Sequence, residues 1–279
     1  MGRANDILQD MLQATTYGRD VLNHYFRKGL EVSHKHKAGL VTRADQEAEQ
    51  VIFAHLRKKG YDFVELGEEA LAGATDVAKA CAEILSSAKK PVWILDPLDG
   101  TTNFVHGFDV FAISLGLYEQ GRVTHGVIWA PRLGGGEGTV YTASLGQGAF
   151  KNGAPIRVST TEHLKDALLA TGFFHEDENQ LQEQLGIFSR LVRQVRGIRR
   201  AGAASLDLAW VAEGIFDGFW EKGLKPWDTA AGILLVREAG GEVGNYLGHT
   251  YSLNDTSIIT ANRKIFDSLL KNISLELKF

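Results

Sequence analysis

The chain has 279 residues, 44% of them apolar, and a length like this buries about three quarters of the surface exposed by the unfolded chain. A formal charge of −4 leaves no broad basic face for nucleic acid, no uninterrupted apolar run is long enough to span a bilayer, and one cysteine, Cys81, excludes an internal disulfide framework. Arg3, Asn5 and Asp6 leave the N-terminus without the apolar stretch of a secretory signal, so a cytoplasmic protein with no membrane or nucleic-acid contact is expected.

Apolar spacing predicts helices over residues 5–28 and 42–59. In the second, Ala48, Val51, Ile52 and Leu56 share a face and Asp45 is a helix-start carboxylate. A short strand over 62–66 runs into Gly67-Glu68-Glu69-Ala70, an acidic pair that alone reads as a solvated loop. A helix over 75–87, with Cys81 in its apolar pattern, precedes a buried strand over 92–95. Segments 108–118, 122–130 and 138–143, rich in β-branched and aromatic residues, predict an antiparallel meander. Gly134-Gly135-Gly136 is one of its turns, since it lacks the Gly-Lys-Ser/Thr ending of a phosphate loop. From residue 167 strands (168–171, 197–200, 215–221, 257–260) alternate with helices (179–193, 203–212, one opened by Asp228, and a last from Lys264), a layered α and β pattern.

The strand over 92–95 ends in Asp96-Pro97-Leu98-Asp99-Gly100-Thr101-Thr102. Pro97 has a fixed φ and pushes Asp96 toward an extended conformation, and Gly100 permits a sharp turn. If a short helix starts at Thr101, its orphan N–H groups suit a phosphate oxygen. An Asx turn accounts for one aspartate, but not for a second three residues later, a rigid proline between them and two threonines. A calcium loop fails on spacing. Pro226-Trp227-Asp228-Thr229 opens a helix that stops at Gly240-Gly241, with Asp228 placed as its N-cap, a role that does not exclude metal binding. A phosphate monoester brings about two negative charges, and hard divalent cations both activate water and stabilise the leaving oxygen. Asp, Glu and main-chain oxygen without His or Cys is a donor set that Mg²⁺ prefers.

An acidic pair, Asp-Pro-Leu-Asp-Gly-Thr-Thr and Trp-Asp-Thr-Ala-Ala-Gly, in this order, resemble the inositol monophosphatase family of magnesium-dependent, lithium-sensitive phosphatases. The resemblance runs from the Val41 to Asp45 segment to the last helix. It includes Gly148-Ala149-Phe150-Lys151-Asn152-Gly153 and Arg199-Arg200-Ala201-Gly202-Ala203-Ala204-Ser205-Leu206-Asp207. Asn103-Phe104-Val105-His106-Gly107 resembles the inositol phosphatase branch, and Thr102 stands where phosphoadenosine phosphate phosphatases usually carry Lys.

The resemblance implies an α+β fold, a five-layer αβαβα sandwich of the inositol monophosphatase and fructose 1,6-bisphosphatase type. It also implies one catalytic unit over 1–279, with an α+β half (1–165) and an α/β half (166–279). Two or three Mg²⁺ ions are implied per site. Glu68 and Asp96 would bind the first with the backbone carbonyl of Leu98; Asp96, Asp99 and Asp228 would bind the second; a third would sit near Glu68. Thr101, backed by Asp45, would orient the attacking water, and the N–H groups of Gly100, Thr101 and Thr102 would hold the phosphate. Glu221, seven residues before Asp228, would accept substrate hydroxyls, with Ala203 and Ala204 lining the ring. Lys225 stands where relatives have His and Ala203 where some have Thr, so both bear on substrate identity.

The implied substrate is a small phosphate monoester, myo-inositol 1-phosphate or a similar polyol phosphate, and a homodimer is implied. A fructose 1,6-bisphosphatase, or a phosphatase of NADP or phosphoadenosine phosphate, is an alternative on the same fold. A regulatory binding protein with secondary phosphatase activity is another. A haloacid-dehalogenase phosphatase resembles Asp-x-Asp-x-Thr, with carboxylates two apart and the first as nucleophile; here they are three apart.

Overall fold

The computed structural model describes residues 2–26, 32–35, 39–174 and 177–276. Helices α1 (Gly2–Tyr25) and α2 (Arg43–Lys58) flank a small antiparallel pair, β1 (Val32–Lys35) and β2 (Gly39–Thr42). Seven strands then form one sheet in chain order: β3 (Val64–Gly67), β4 (Val92–Asp99), β5 (Ala112–Glu119), β6 (Arg122–Ala130), β7 (Thr139–Ser144), β8 (Gly148–Lys151) and β9 (Ala154–Ile156). β3 and β4 are parallel, with α3 (Val77–Ser87) in their crossover; the other pairs are antiparallel. The short α4 (Thr101–Val105) joins β4 to β5.

Five strands make the second sheet: β10 (Leu168–Thr171), β11 (Gly197–Arg199), β12 (Gly218–Lys222), β13 (Glu242–Gly244) and β14 (Ser257–Ala261), in the order β11-β10-β12-β14-β13. Between them run α5 (Glu178–Leu191), α6 (Ala204–Glu213) and α7 (Pro226–Glu238), and α8 (Phe266–Ser274) closes the described chain.

Alternation along the central strands explains the layers. Trp93, Leu95, Ile113, Leu115 and Leu117 pack with Met11, Leu22, Ile52 and Leu56 of α1 and α2. Ile94, Ala112 and Ile128 point the other way, into a core shared with Leu206 and Leu208 of α6 and Ala230, Ala231 and Leu234 of α7. Beyond the second sheet, Ile187, Leu191, Leu269 and Ile273 of α5 and α8 cover Leu169, Trp220 and Ile259. The result is the expected αβαβα sandwich, with α6 and α7 as its middle layer. Buried against both sheets, these two helices are apolar around nearly their whole circumference.

The middle layer sits close because two glycines face each other in register, Gly116 on β5 and Gly126 on β6. A Cβ on Gly116 would lie 2.9 Å from the Cβ of Ala230, and one on Gly126 would lie 3.0 Å from the Cα of Ala231. The start of α7, which carries Asp228, is thereby held against the sheet that carries Asp96 and Asp99.

Several elements depart from the sequence expectation. The 92–95 strand continues through Asp99, because Asp96 and Asp99 still pair with Ser114 and Ala112 around an irregularity at Pro97 and Leu98. The strand expected over 108–118 starts at Ala112, the one over 215–221 at Gly218, and the first helix starts at Gly2; residues 27 and 28 of its expected span lie outside the described residues. The sequence pattern does not predict β1, β2, β8, β9 or β13; each has only three or four residues, too few for a period-2 pattern to stand out.

Candidate active site

The site grows from the ends of β3 and β4. In their parallel register Gly67 lies opposite Leu95, and the Glu68 N–H donates to the Leu95 carbonyl at 3.2 Å, which brings Glu68 beside Asp96. Glu49, buried on α2, braces this turn from behind: its Oε2 accepts the Glu69 N–H at 3.0 Å, and a Cβ on Gly67 would strike that oxygen at 2.2 Å. Burial and the nearby Glu69 and Glu68 charges push the Glu49 carboxyl up to about 7, against the backbone donors that lower it.

Asp96 is 2% exposed, and its Oδ1 accepts the Leu98 N–H at 2.9 Å. An Asx turn is therefore present, and it leaves the second carboxylate oxygen outside that bond. Burial, reinforced by Glu68, Asp99 and Asp228, pushes Asp96 well above the usual carboxylate range. Asp99 reaches across to the middle layer, where its Oδ2 accepts from the Ser205 N–H at 2.7 Å and the Ser205 hydroxyl at 2.5 Å. Burial still raises Asp99 to about 6 against the pull of those donors.

Gly100 takes φ +91°, a left-handed conformation that suits only glycine, and a Cβ there would lie 3.0 Å from the Val110 carbonyl. It caps α4, so the first N–H groups of that turn have no intrahelical acceptor. The Thr101 hydroxyl donates to the Leu98 carbonyl at 3.0 Å, leaving its lone pairs to accept. Thr102 is exposed, Asp45 is buried in the first turn of α2, and Asn103 ties the loop to the second half through the Val110 and Ala201 carbonyls at 2.7 and 2.9 Å.

Asp228 is the third residue of α7 rather than its N-cap. Lys225 holds the cap position, Pro226 occupies the first turn, and Asp228 Oδ2 accepts the Lys225 N–H at 2.6 Å. Burial and the Asp99 charge raise its carboxyl to about 8. Asp99 and Asp228 line one end of a cavity of about 110 Å³ that also holds Ala203, Ala204, Asp207 and Glu221. Burial is the main cause that lifts Glu221 to about 8, Arg200 opposing and Asp228 adding to it.

Comparison with known proteins settles the lineage. The model of the inositol monophosphatase family matches residues 6–276. The chain belongs to that family. It is 44% identical to the Nus factor SuhB of Pseudomonas aeruginosa over 246 residues, 88% of this chain and 86% of that protein. It is 38% identical to an inositol-1-monophosphatase of Mesorhizobium japonicum over 271 residues, 96% of each. Among solved structures, the extragenic suppressor protein SuhB of Bartonella henselae superposes with a TM-score of 0.84 at 37% identity, covering 96% of this chain and 98% of that one. The Thermotoga maritima IMPase gives 0.83 at 31%, covering 97% and 98%. Membership makes the chain a hydrolase of the metal-dependent phosphatase kind.

The structure thus gathers Glu68, Asp96, Asp99 and Asp228 from both halves of the chain, with Ala203, Ala204 and Glu221 lining the adjoining cavity. Lys225 does not line that cavity; it lines a neighbouring crevice with Cys81 and Asp255. Ser205, Asn103 and Glu49 hold the site together and carry no local signal, because their partners lie 106, 98 and 20 residues away. The donor set fits a hard divalent cation: buried carboxylates that repel one another, carbonyl oxygen, and no His or Cys. Among the described residues no three His, Cys, Asp or Glu side chains lie close enough together to hold a metal ion between them.

Proposed function

We propose that the chain is a Mg²⁺-dependent phosphomonoesterase that hydrolyses myo-inositol 1-phosphate, or a similar polyol monophosphate, to the alcohol and inorganic phosphate. The observation that carries this reading is the gathering of the buried Asp96, Asp99 and Asp228 beside Glu68: burial, with the charges of Glu68 and of one another adding to it, raises all three carboxyls, an arrangement that a bound cation would relieve. Two or three Mg²⁺ ions, held by Glu68, Asp96, the Leu98 carbonyl, Asp99 and Asp228, would supply charge neutralisation for the phosphate and a lowered pKa for the attacking water.

The chain's own groups do the rest. The Thr101 Oγ1, whose hydroxyl donates to the Leu98 carbonyl in this structure, would accept from the attacking water and orient its lone pair toward phosphorus; for the water's proton to pass to Oγ1, the hydroxyl would turn from Leu98 and give its own proton to Asp45. The N–H groups of Gly100, Thr101 and Thr102 bind the phosphate oxygens. Glu221, with Ala203 and Ala204, receives the alcohol half. Because ligands come from β3, β4 and α7, both halves act as one catalytic unit. A cytoplasmic homodimer belongs to the same reading. A second reading, docking onto another macromolecule beside catalysis, is favoured by the name Nus factor that the Pseudomonas aeruginosa and Escherichia coli relatives bear.

A phosphate-release panel tests the proposal: inositol 1-phosphate, fructose 1,6-bisphosphate, NADP and phosphoadenosine phosphate, each with and without Mg²⁺. Preference for inositol 1-phosphate supports it, and preference for a bisphosphate or nucleotide moves the protein to those activities.

A further inference from the structure

Among the buried residues of α6, Asp207 in the first turn is the one ionisable side chain, and it is 1% exposed. The other buried aspartates of this region are satisfied by the fold. Asp99 takes two bonds from Ser205, Asp228 one from the Lys225 N–H, and Asp217 the Ser159 hydroxyl and the Leu168 N–H. Asp207 is not: its Oδ1 meets no hydrogen-bond donor, and among the described residues no ion pair reaches it. Arg200 lines the same cavity and draws the Asp207 carboxyl down, but burial together with the Glu221 and Asp99 charges outweighs it. A buried carboxylate without donors is costly, and a helix start offsets only a small part of that cost.

Asp207 lines the cavity with Glu221, and Glu221 likewise accepts no hydrogen bond from a described side chain. Its carboxylate is set against Gly172, where a Cβ would lie 2.0 Å from Oε1, so the missing side chain leaves the room that Glu221 occupies. Two carboxyl groups without hydrogen-bond partners among the described residues therefore face one cavity, and the partners they lack must arrive with the ligand.

We propose that Asp207 is a specificity-determining residue that accepts a substrate hydroxyl alongside Glu221, which restricts the alcohol half to uncharged polyols with at least two free hydroxyls. The inference rests on the phosphomonoesterase reading above and narrows it. A single-hydroxyl or aromatic alcohol leaves one carboxylate unpaired, and a second phosphate meets two carboxylates with Arg200 as the one cation of the cavity lining.

The test is Asp207→Asn, which keeps the shape and removes the charge, with Asp207→Ser as a second variant. Steady-state kinetics in Mg²⁺ on inositol 1-phosphate and on p-nitrophenyl phosphate are read together with Tm. The expected result is a KM for inositol 1-phosphate raised roughly tenfold or more, so that its kcat/KM relative to p-nitrophenyl phosphate drops by about that factor, with Tm no lower than that of the native chain. Equal losses on both substrates, or a lowered Tm, would show that Asp207 supports the fold or the metal site and overturn the proposal; so would an unaltered KM. If the native chain hydrolyses p-nitrophenyl phosphate but not inositol 1-phosphate, the substrate reading itself fails, a result distinguishable from failure of the Asp207 assignment alone.

Discussion

Raising the pH should destabilise the metal-free protein, and Mg²⁺ should reverse the effect. Asp228 has an ordinary carboxylate pKa of 3.8 when unfolded and about 8 in the fold; Asp99 is raised to about 6 and Asp96 well above its usual range. A carboxyl raised on folding favours the native state below its unfolded pKa, and that contribution is lost as pH climbs to the folded value. The window here runs from near pH 4 to near pH 8. Each pKa unit corresponds to about 1.4 kcal/mol, so the carboxylates together cost the chelated protein on the order of a few kcal/mol at pH 8, after allowance for their coupling and partial hydration. For a chain of this length 1 kcal/mol moves Tm by roughly 2 °C, so the chelated protein should melt about 5 °C or more lower at pH 8 than at pH 5. Saturating Mg²⁺ at a hundred times its Kd adds about 2.7 kcal/mol, and its effect should grow with pH because protons compete for the same oxygens. Thermal melts at pH 5, 6, 7 and 8 in EDTA and in Mg²⁺ read both trends. A chelated Tm that is flat across this range, or a Mg²⁺ increment that is the same at pH 5 and pH 8, would refute the reasoning.

Two substitutions probe the site by other routes. Ser205→Ala removes the hydroxyl that donates to Asp99 while keeping the N–H, so about 1.5–3 kcal/mol of a charge-assisted bond is at stake. Melting should fall by several degrees and Mg²⁺ half-saturation should rise, and a variant with native values in both would show the bridge to be incidental. Asp96→Asn should lower turnover by orders of magnitude and weaken Mg²⁺ binding with no phosphoenzyme formed by either protein, whereas an aspartyl phosphate trapped by acid quench would mean that the carboxylate is the nucleophile.

How much of this was legible in the sequence depended on how local the physics was. Asp96, Pro97, Asp99 and Gly100 announce themselves because strand end, rigid φ and sharp turn are written within five residues. α7 was visible from Pro226 and from Gly240-Gly241, although the cap fell to Lys225 because Pro226 takes the first turn and Asp228 bonds backward. Gly116 and Gly126 look like weak points in two strands; only the packed sandwich shows that α7 requires their missing side chains. Ser205 and Asp207 lay within a segment that resembles the family, but their roles depend on Asp99 and Glu221, brought near by the stacking of two sheets rather than by spacing along the chain. The expectation for Lys225 used its place in the sequence, and the turn before α7 directs that residue to another crevice.

The most direct test of the central claim is phosphate release from inositol 1-phosphate by purified protein, measured in excess EDTA and again after Mg²⁺ is restored. The raised carboxyls of Asp96, Asp99 and Asp228, gathered beside Glu68, predict no turnover in the chelator and full recovery with Mg²⁺. Undiminished turnover in EDTA would contradict a metal-dependent phosphomonoesterase.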